Sequence, residues 1–222
     1  MNLETLRAQF RIDADDVSTP PLWSDEEVDY WFNEAEEEAA QRANLLYEAD
    51  NTTVCQIAVT AGTRTYPLDP RVIDIAHARF VPTADTTNVV VLGHTDRLEL
   101  DRLDPRWRER TETPRSLVQD DTTVTLVPRP DADGVLHIEC HRLPLEPMVA
   151  DADTPEISAA HHRYLVHWVL HRAFSKPDSE TIDPERAGKA EKQFEARFGR
   201  RLDADMRRSY RADRPHHNIS HW

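Results

Sequence analysis

His161, His167 and His171 lie close together in the chain, and the last two are one helical turn apart. Imidazoles at that spacing on one helix face can hold a hydrolytic zinc ion. A zinc peptidase also needs a Glu beside the first His as general base, and here Trp168, Val169 and Leu170 fill the gap. No third ligand has recognisable spacing, so these histidines read as packing or interface residues. The run Glu36-Glu37-Glu38 could act as an acid–base pair only if buried, and its helical spacing predicts a solvated face instead. The glycines at 62, 93, 134, 188 and 199 never cluster into a phosphate loop, and there is no Gly-x-Ser-x-Gly elbow. Cys55 and Cys140 sit in strand-like stretches and are expected to be free, buried thiols. The sequence therefore assigns no catalytic residue, no metal and no cofactor.

The elements that would have to position any site follow from periodicity. Residues 2–13 read as a helix with Leu3, Leu6 and Phe10 on one side, set off by Pro20-Pro21 from a second helix. Ser24 caps that second helix, with Glu27 reaching back to the Ser24 amide and Trp23 closing over Val28. From there Val28, Trp31, Phe32, Ala35, Ala39, Ala43 and Leu46 recur at helical spacing, with Glu34, Glu37 and Gln41 opposite. After Asp50-Asn51 the period becomes two. Thr53, Cys55, Ile57 and Val59 share a face, Ala61-Gly62 turns, and a strand returns through Tyr66, which together predict a hairpin. Further strands are expected at 72–81, 89–92, 115–119, 122–127 and 135–142, with a short helix at 96–103 and a turn through Pro130-Asp131-Ala132-Asp133-Gly134.

Helix resumes at 157–174, a stretch apolar on almost every side, so a neighbouring subunit is expected to supply part of its cover. Asp183 caps the next helix with Pro184 at its first position. There Phe194, Phe198, Leu202, Met206 and Tyr210 repeat every four residues, with a break at Gly199. The predicted fold class is α+β, with helices in residues 1–50 and 153–210, a small antiparallel β sandwich or barrel at 51–152, and a tail at 211–222. Trp31, Phe32, Leu165, Trp168, Phe194 and Phe198 are the expected bundle or subunit packing residues.

The 222 residues suffice for a sizeable core without disulfides. No apolar run reaches bilayer length, and Met1-Asn2-Leu3-Glu4 lacks the pattern of a secretory signal, so a soluble, unexported protein without membrane contact is expected. The net charge of −14 disfavours general affinity for nucleic acid. It is unevenly spread: residues 184–222 carry +4 and residues 1–183 carry −18. Only three of the 27 basic residues are lysines and Asp outnumbers Glu. That pattern fits either a salt-adapted surface or a coding bias toward Arg. Within the basic end, residues 211–222 read as a tail without its own fold, closed by Trp222. An indole ending a polar, basic segment suits an anchor in a partner's pocket, with Arg211, Arg214, His216, His217, Ile219 and His221 beside it.

In order and spacing, several segments resemble the head-to-tail adaptor proteins of tailed viruses, which include the tail tubular or gatekeeper-type adaptors of short-tailed phages and the portal-adjacent adaptors of long-tailed ones. They are Trp23-Ser24-Asp25-Glu26-Glu27 with Trp31 and Asn33-Glu34-Ala35, and Ala61-Gly62-Thr63-Arg64-Thr65-Tyr66-Pro67-Leu68. Leu103-Asp104-Pro105-Arg106-Trp107 follows with Thr113-Pro114-Arg115, then Pro128-Arg129-Pro130-Asp131-Ala132-Asp133-Gly134 leading into Arg142-Leu143-Pro144. The resemblance implies a helical bundle assembled from both ends of the chain, residues 1–50 and 153–210, with the β domain inserted between, in a non-enzymatic virion protein of the neck, assembled in the host cytoplasm as a homo-oligomeric ring, usually of twelve copies. It implies contact with the portal through the C-terminal segment, contact with a downstream neck, stopper or tail protein through the β domain, and head completion followed by ejection of DNA through the lumen. A halophilic host would suit the acidic composition. Two rival classes remain: a nucleic-acid-binding module using the basic C-terminal helix, and a metal hydrolase around His161, His167 and His171.

Overall fold

The computed structural model describes residues 1–177, 181–201 and Met206. These residues form a mixed α+β structure that divides into a helical unit, Met1–Leu46 with Leu143–Arg201, and a β unit that includes Tyr47–Arg142. Among the described residues no helix is long and apolar enough to cross a membrane.

The helical unit starts with α1, Leu3–Ala14, capped by the Asn2 side chain and buried along Leu3, Leu6 and Phe10. Helix α2, Asp25–Ala43, starts where the Ser24 hydroxyl accepts the Glu27 N–H at 3.2 Å. The Glu27 carboxylate goes to Lys176 at 2.6 Å rather than back to the Ser24 amide. Trp23 packs edge-on against Phe10 and Phe174, each with ring centres 5.6 Å apart. The expected apolar face of α2 needs one change: Ala43 is exposed, and Ala40, Glu36 and Glu38 are buried in its place.

Two later helices complete this unit, α5, His162–Ser175, and α6, Pro184–Phe198. Asp183 caps α6 by accepting the Glu185 and Arg186 N–H groups, and Gly199, at φ +88°, ends it. Helix α5 packs against α1, α2 and α6 of its own chain. The expected need for cover from a neighbouring subunit therefore disappears: Leu165, Val166, Val169 and Ala173 are fully buried within one chain. Trp31, Phe32, Leu165, Trp168, Phe194 and Phe198 all lie in this core.

The β unit contains two sheets. In the first, a long strand β9, Gly134–Arg142, pairs with β4, Val72–Pro82, which in turn pairs with β5, Val90–Val91. The other edge of β9 takes two short strands in succession, β1, Tyr47–Glu48, and β2, Gln56–Val59. Between them α3, Thr52–Cys55, replaces the strand start that alternation predicts. Its cause is local: the Asn51 side chain caps Thr53 and Val54, while Glu48 Oε1 accepts the N–H groups of Ala49, Asp50 and Asn51. Gly134 sits where β9 is flanked by β2 and β4, and a Cβ there would lie 2.5 Å from both the Phe80 ring and the Val81 carbonyl.

The second sheet has the order β3, Thr65–Pro67; β8, Thr123–Val127; β7, Ser116–Gln119; β6, Gly93–His94. Its β6–β7 pair is parallel, against the all-antiparallel expectation. The expected hairpin is also corrected, because β2 joins the first sheet and β3 the second. Gly62, at φ +79°, makes the turn between them, and the Tyr66 hydroxyl fastens it to Thr60 and Thr63. The turn after β8 likewise crosses between sheets. Gln119 links the two, accepting the Ile75 N–H at 2.9 Å and donating to the Ile73 carbonyl where β4 bulges. The short helix α4, Arg97–Leu103, is capped by Asp96 and has no buried residue.

Candidate interaction site

The histidines singled out for metal chemistry are engaged separately. Arg197 donates to His161 at 3.2 Å, and the imidazole faces Phe198. His167 lies beside Tyr164, and burial holds its pKa below the usual histidine value. His171 reaches the Ala187 carbonyl at 3.2 Å and packs on Trp168. Among the described residues no group of three or more His, Cys, Asp or Glu side chains is arranged to hold a metal ion. The histidine that the sequence reading passed over is His162. It is buried at the start of α5 and its Nε2 bonds the Ile157 carbonyl at 2.8 Å.

Glu36 reverses the expectation of a solvated carboxylate run. It is 1% exposed, and its Oε1 accepts the backbone N–H groups of Glu156 and Ile157, tying α2 to the segment that leads into α5. Burial pushes its pKa up to about 7, against the opposing pull of those two hydrogen bonds. Glu38 is also buried, and pairs with Arg42 at 2.9 Å and Arg201 at 3.0 Å. The Arg42 guanidinium lies 5.0 Å from the ring centres of both Trp168 and Phe194. Only Glu37 of the three is exposed. The signal was present in the sequence: Glu36 is four residues from both Phe32 and Ala40, hence on the apolar face.

Cys55 and Cys140 are both buried and free. Burial, together with the neighbouring Cys55, pushes the Cys140 thiol up to about 12, which makes it unreactive near neutral pH. On the same sheet a cleft of about 250 Å³ is lined by His77, Arg79, His137 and Glu139 among others. These side chains pair across strands, His77 opposite Glu139 and Arg79 opposite His137. That is the ordinary geometry of a wet sheet face.

The most distinctive polar cluster is on the second sheet, around Trp107, which packs with Val118, Val127 and Leu100. Two guanidiniums lie over its ring, Arg64 at 5.0 Å and Arg108 at 4.4 Å from the centre. The indole N–H donates to Asp101 at 2.8 Å, and Asp101 also pairs with Arg108. The Arg108 carbonyl accepts from Arg64 and, at 3.5 Å, from Arg129. Burial and the nearby charges of Arg129 and Arg108 hold the Arg64 pKa below its usual value. Main-chain bonds fix the three contributing segments: Leu126 N–H to the Arg64 carbonyl, Arg129 N–H to Arg110, and Glu112 N–H to Arg129. Sequence reasoning noted these segments one by one and missed that they converge.

The residues expected to bind the portal, Arg211, Arg214, His216, His217, Ile219, His221 and Trp222, lie outside the described residues, as do Leu202 and Tyr210. A family model described as SU10 adaptor protein matches residues 1–217. No curated protein matches the chain.

Proposed function

The chain belongs to the SU10 adaptor protein family, a structural phage adaptor family, and from that membership we propose that it forms a ring between the portal and the tail. In this reading the ring has twelve copies, seals the head after packaging and gives DNA a conduit during ejection. One face meets the portal, with residues 211–222 reaching into it and Trp222 as anchor. The β unit faces a downstream neck, stopper or tail protein. The helical unit is assembled from both ends of the chain, with the β unit inserted between them in sequence. The observation that carries the proposal is the family match over almost the whole chain. The charge supports it, because a net −14 per copy disfavours phosphate adsorption in a passage that must release DNA.

Negative-stain images of virions decorated with antibody to this chain test the placement: label at the neck is expected, and label elsewhere or none removes the reading. Deleting residues 211–222 is expected to lower attachment to DNA-filled heads while leaving the circular dichroism spectrum intact. Unchanged attachment removes the role given to the tail. A salt-adapted surface, and with it a halophilic host, requires a melting temperature that climbs steeply with potassium chloride as self-repulsion is screened; a flat response leaves coding bias as the explanation.

A further inference from the structure

The arginine cluster around Trp107 is built and laced into the fold, yet among the described residues its charge is not balanced. Arg108 has Asp101 as a partner. Among the described residues neither Arg64 nor Arg129 is paired with a carboxylate; both donate to main-chain carbonyls. Three guanidiniums thus gather with one carboxylate among them, which leaves a local positive field on an otherwise acidic protein. A planar donor fork held in this way suits a carboxylate or phosphate oxygen pair.

The neighbourhood favours a protein carboxylate. Trp107 is 4% exposed with guanidiniums over its ring, so it offers no face for a nucleobase to stack on. On α4, the helix that carries Asp101, Leu98 and Leu103 are 75% and 76% exposed. Large exposed apolar side chains on the helix whose Asp101 holds Arg108 suit a protein interface. The same chain offers a complementary surface. At the end of α1, residues 12–17 place the exposed carboxylates of Asp13 and Asp15 between Ile12 and Val17, which are 66% and 77% exposed.

Taking the ring reading above as given, we propose that the cluster of Arg64, Arg108 and Arg129 with Leu98 and Leu103 receives the acidic, apolar residues 12–17 of a second copy of this chain. The two patches differ, so the contact is heterologous. Repeated from copy to copy, such a contact closes a ring when its rotation allows.

Sedimentation of the full-length chain tests this with two single variants and their combination. Arg129→Glu and Asp13→Arg should each weaken self-association about tenfold or more, and the double variant should recover most of that loss. Raised sodium chloride should weaken the wild type and leave either single variant little changed. Asp13 is exposed and its carboxylate accepts from Gln9 of its own helix, so its arm of the test stands even if Arg129→Glu perturbs the fold. If the wild type forms rings and all three variants do so equally well, the ring reading stands and this contact is wrong. A wild type that stays monomeric at every concentration overturns both. Double-stranded DNA that binds the wild type and not Arg129→Glu would make the cluster a nucleic-acid site and also overturn the proposal.

Discussion

Arginine has different work in the two units. In the helical unit Arg42 is almost wholly buried, bonded to Glu38 and lying near Trp168 and Phe194, so its charge is used up inside the chain. In the β unit Arg64 and Arg129 donate through Nη2 to carbonyl oxygens and, among the described residues, keep their net charge, with the buried Arg64 Nε left over. A guanidinium whose charge is cancelled internally holds a fold together, and one whose charge is left over is available to a partner. Arg142 marks the boundary of that distinction, since it is buried in the β unit and pairs with Glu48 at 3.0 Å. Function is therefore to be sought where the charge stays unbalanced.

The sharpest way to break the comparison is to remove Arg42. Among the described residues Arg42→Gln leaves buried Glu38 with the largely exposed Arg201 as its one cationic partner, and it loses the cation–ring contacts with two core aromatics. Urea denaturation should show a loss of about 3 kcal/mol. A loss below about 1 kcal/mol would mean that Arg42 is a surface residue in energetic terms.

Glu36 gives the helical unit a pH signature. Its pKa in the fold, about 7, is above that of an unfolded glutamate, so the protonated form is the one the native state favours. The contribution is fully present below about pH 4.3 and is lost as pH rises through about 7, a change of roughly 3 kcal/mol across the window. Glu36→Gln keeps an acceptor for the Glu156 and Ile157 N–H groups and removes the proton. The difference in stability between wild type and variant, measured at a series of pH values, should therefore slope across that window. A difference that is flat with pH would show that water reaches the carboxylate.

The β unit is expected to fail by crowding instead. Gly134→Ala drives a methyl against the Phe80 ring and the Val81 carbonyl, and should cost roughly 1–3 kcal/mol by thermal melting. Its proximity to both β2 and β4 leaves no direction in which one strand can give without disturbing the other.

What the sequence made legible was local. The caps at Ser24 and Asp183, the stop at Gly199 and the strands expected at 72–81 and 135–142 each depend on a few neighbouring residues, and each is found within a residue or two of where the pattern places it. What it left hidden was pairing. Nothing within residues 53–67 says that β2 and β3 belong to different sheets, because the partners that separate them, β9 and β8, lie some sixty to eighty residues downstream. The same applies to α5, whose all-round apolar surface looked like an oligomer contact until three helices of its own chain were seen around it. Charge was misread for a further reason: hydrophilicity was given more weight than position for Glu36, although four-residue spacing from Phe32 already placed it inside. The motifs of the family resemblance carried more than their individual weight, since Arg64, Trp107 and Arg129 come from three of them and meet in one cluster.

The smallest expected effect is the most discriminating. Arg129 is half-buried, and among the described residues its guanidinium donates to the Arg108 carbonyl at 3.5 Å, a long bond that water can replace. Removing its charge relieves repulsion on Arg64 as well as deleting that bond. Arg129→Gln should therefore change the stability of the isolated chain by no more than about 0.5 kcal/mol in urea denaturation. Set beside the loss at Arg42, that near-zero result would separate an arginine kept for the fold from one kept for a partner. A loss at Arg129 as large as that at Arg42 would make the cluster a structural brace and erase the contrast between the two units.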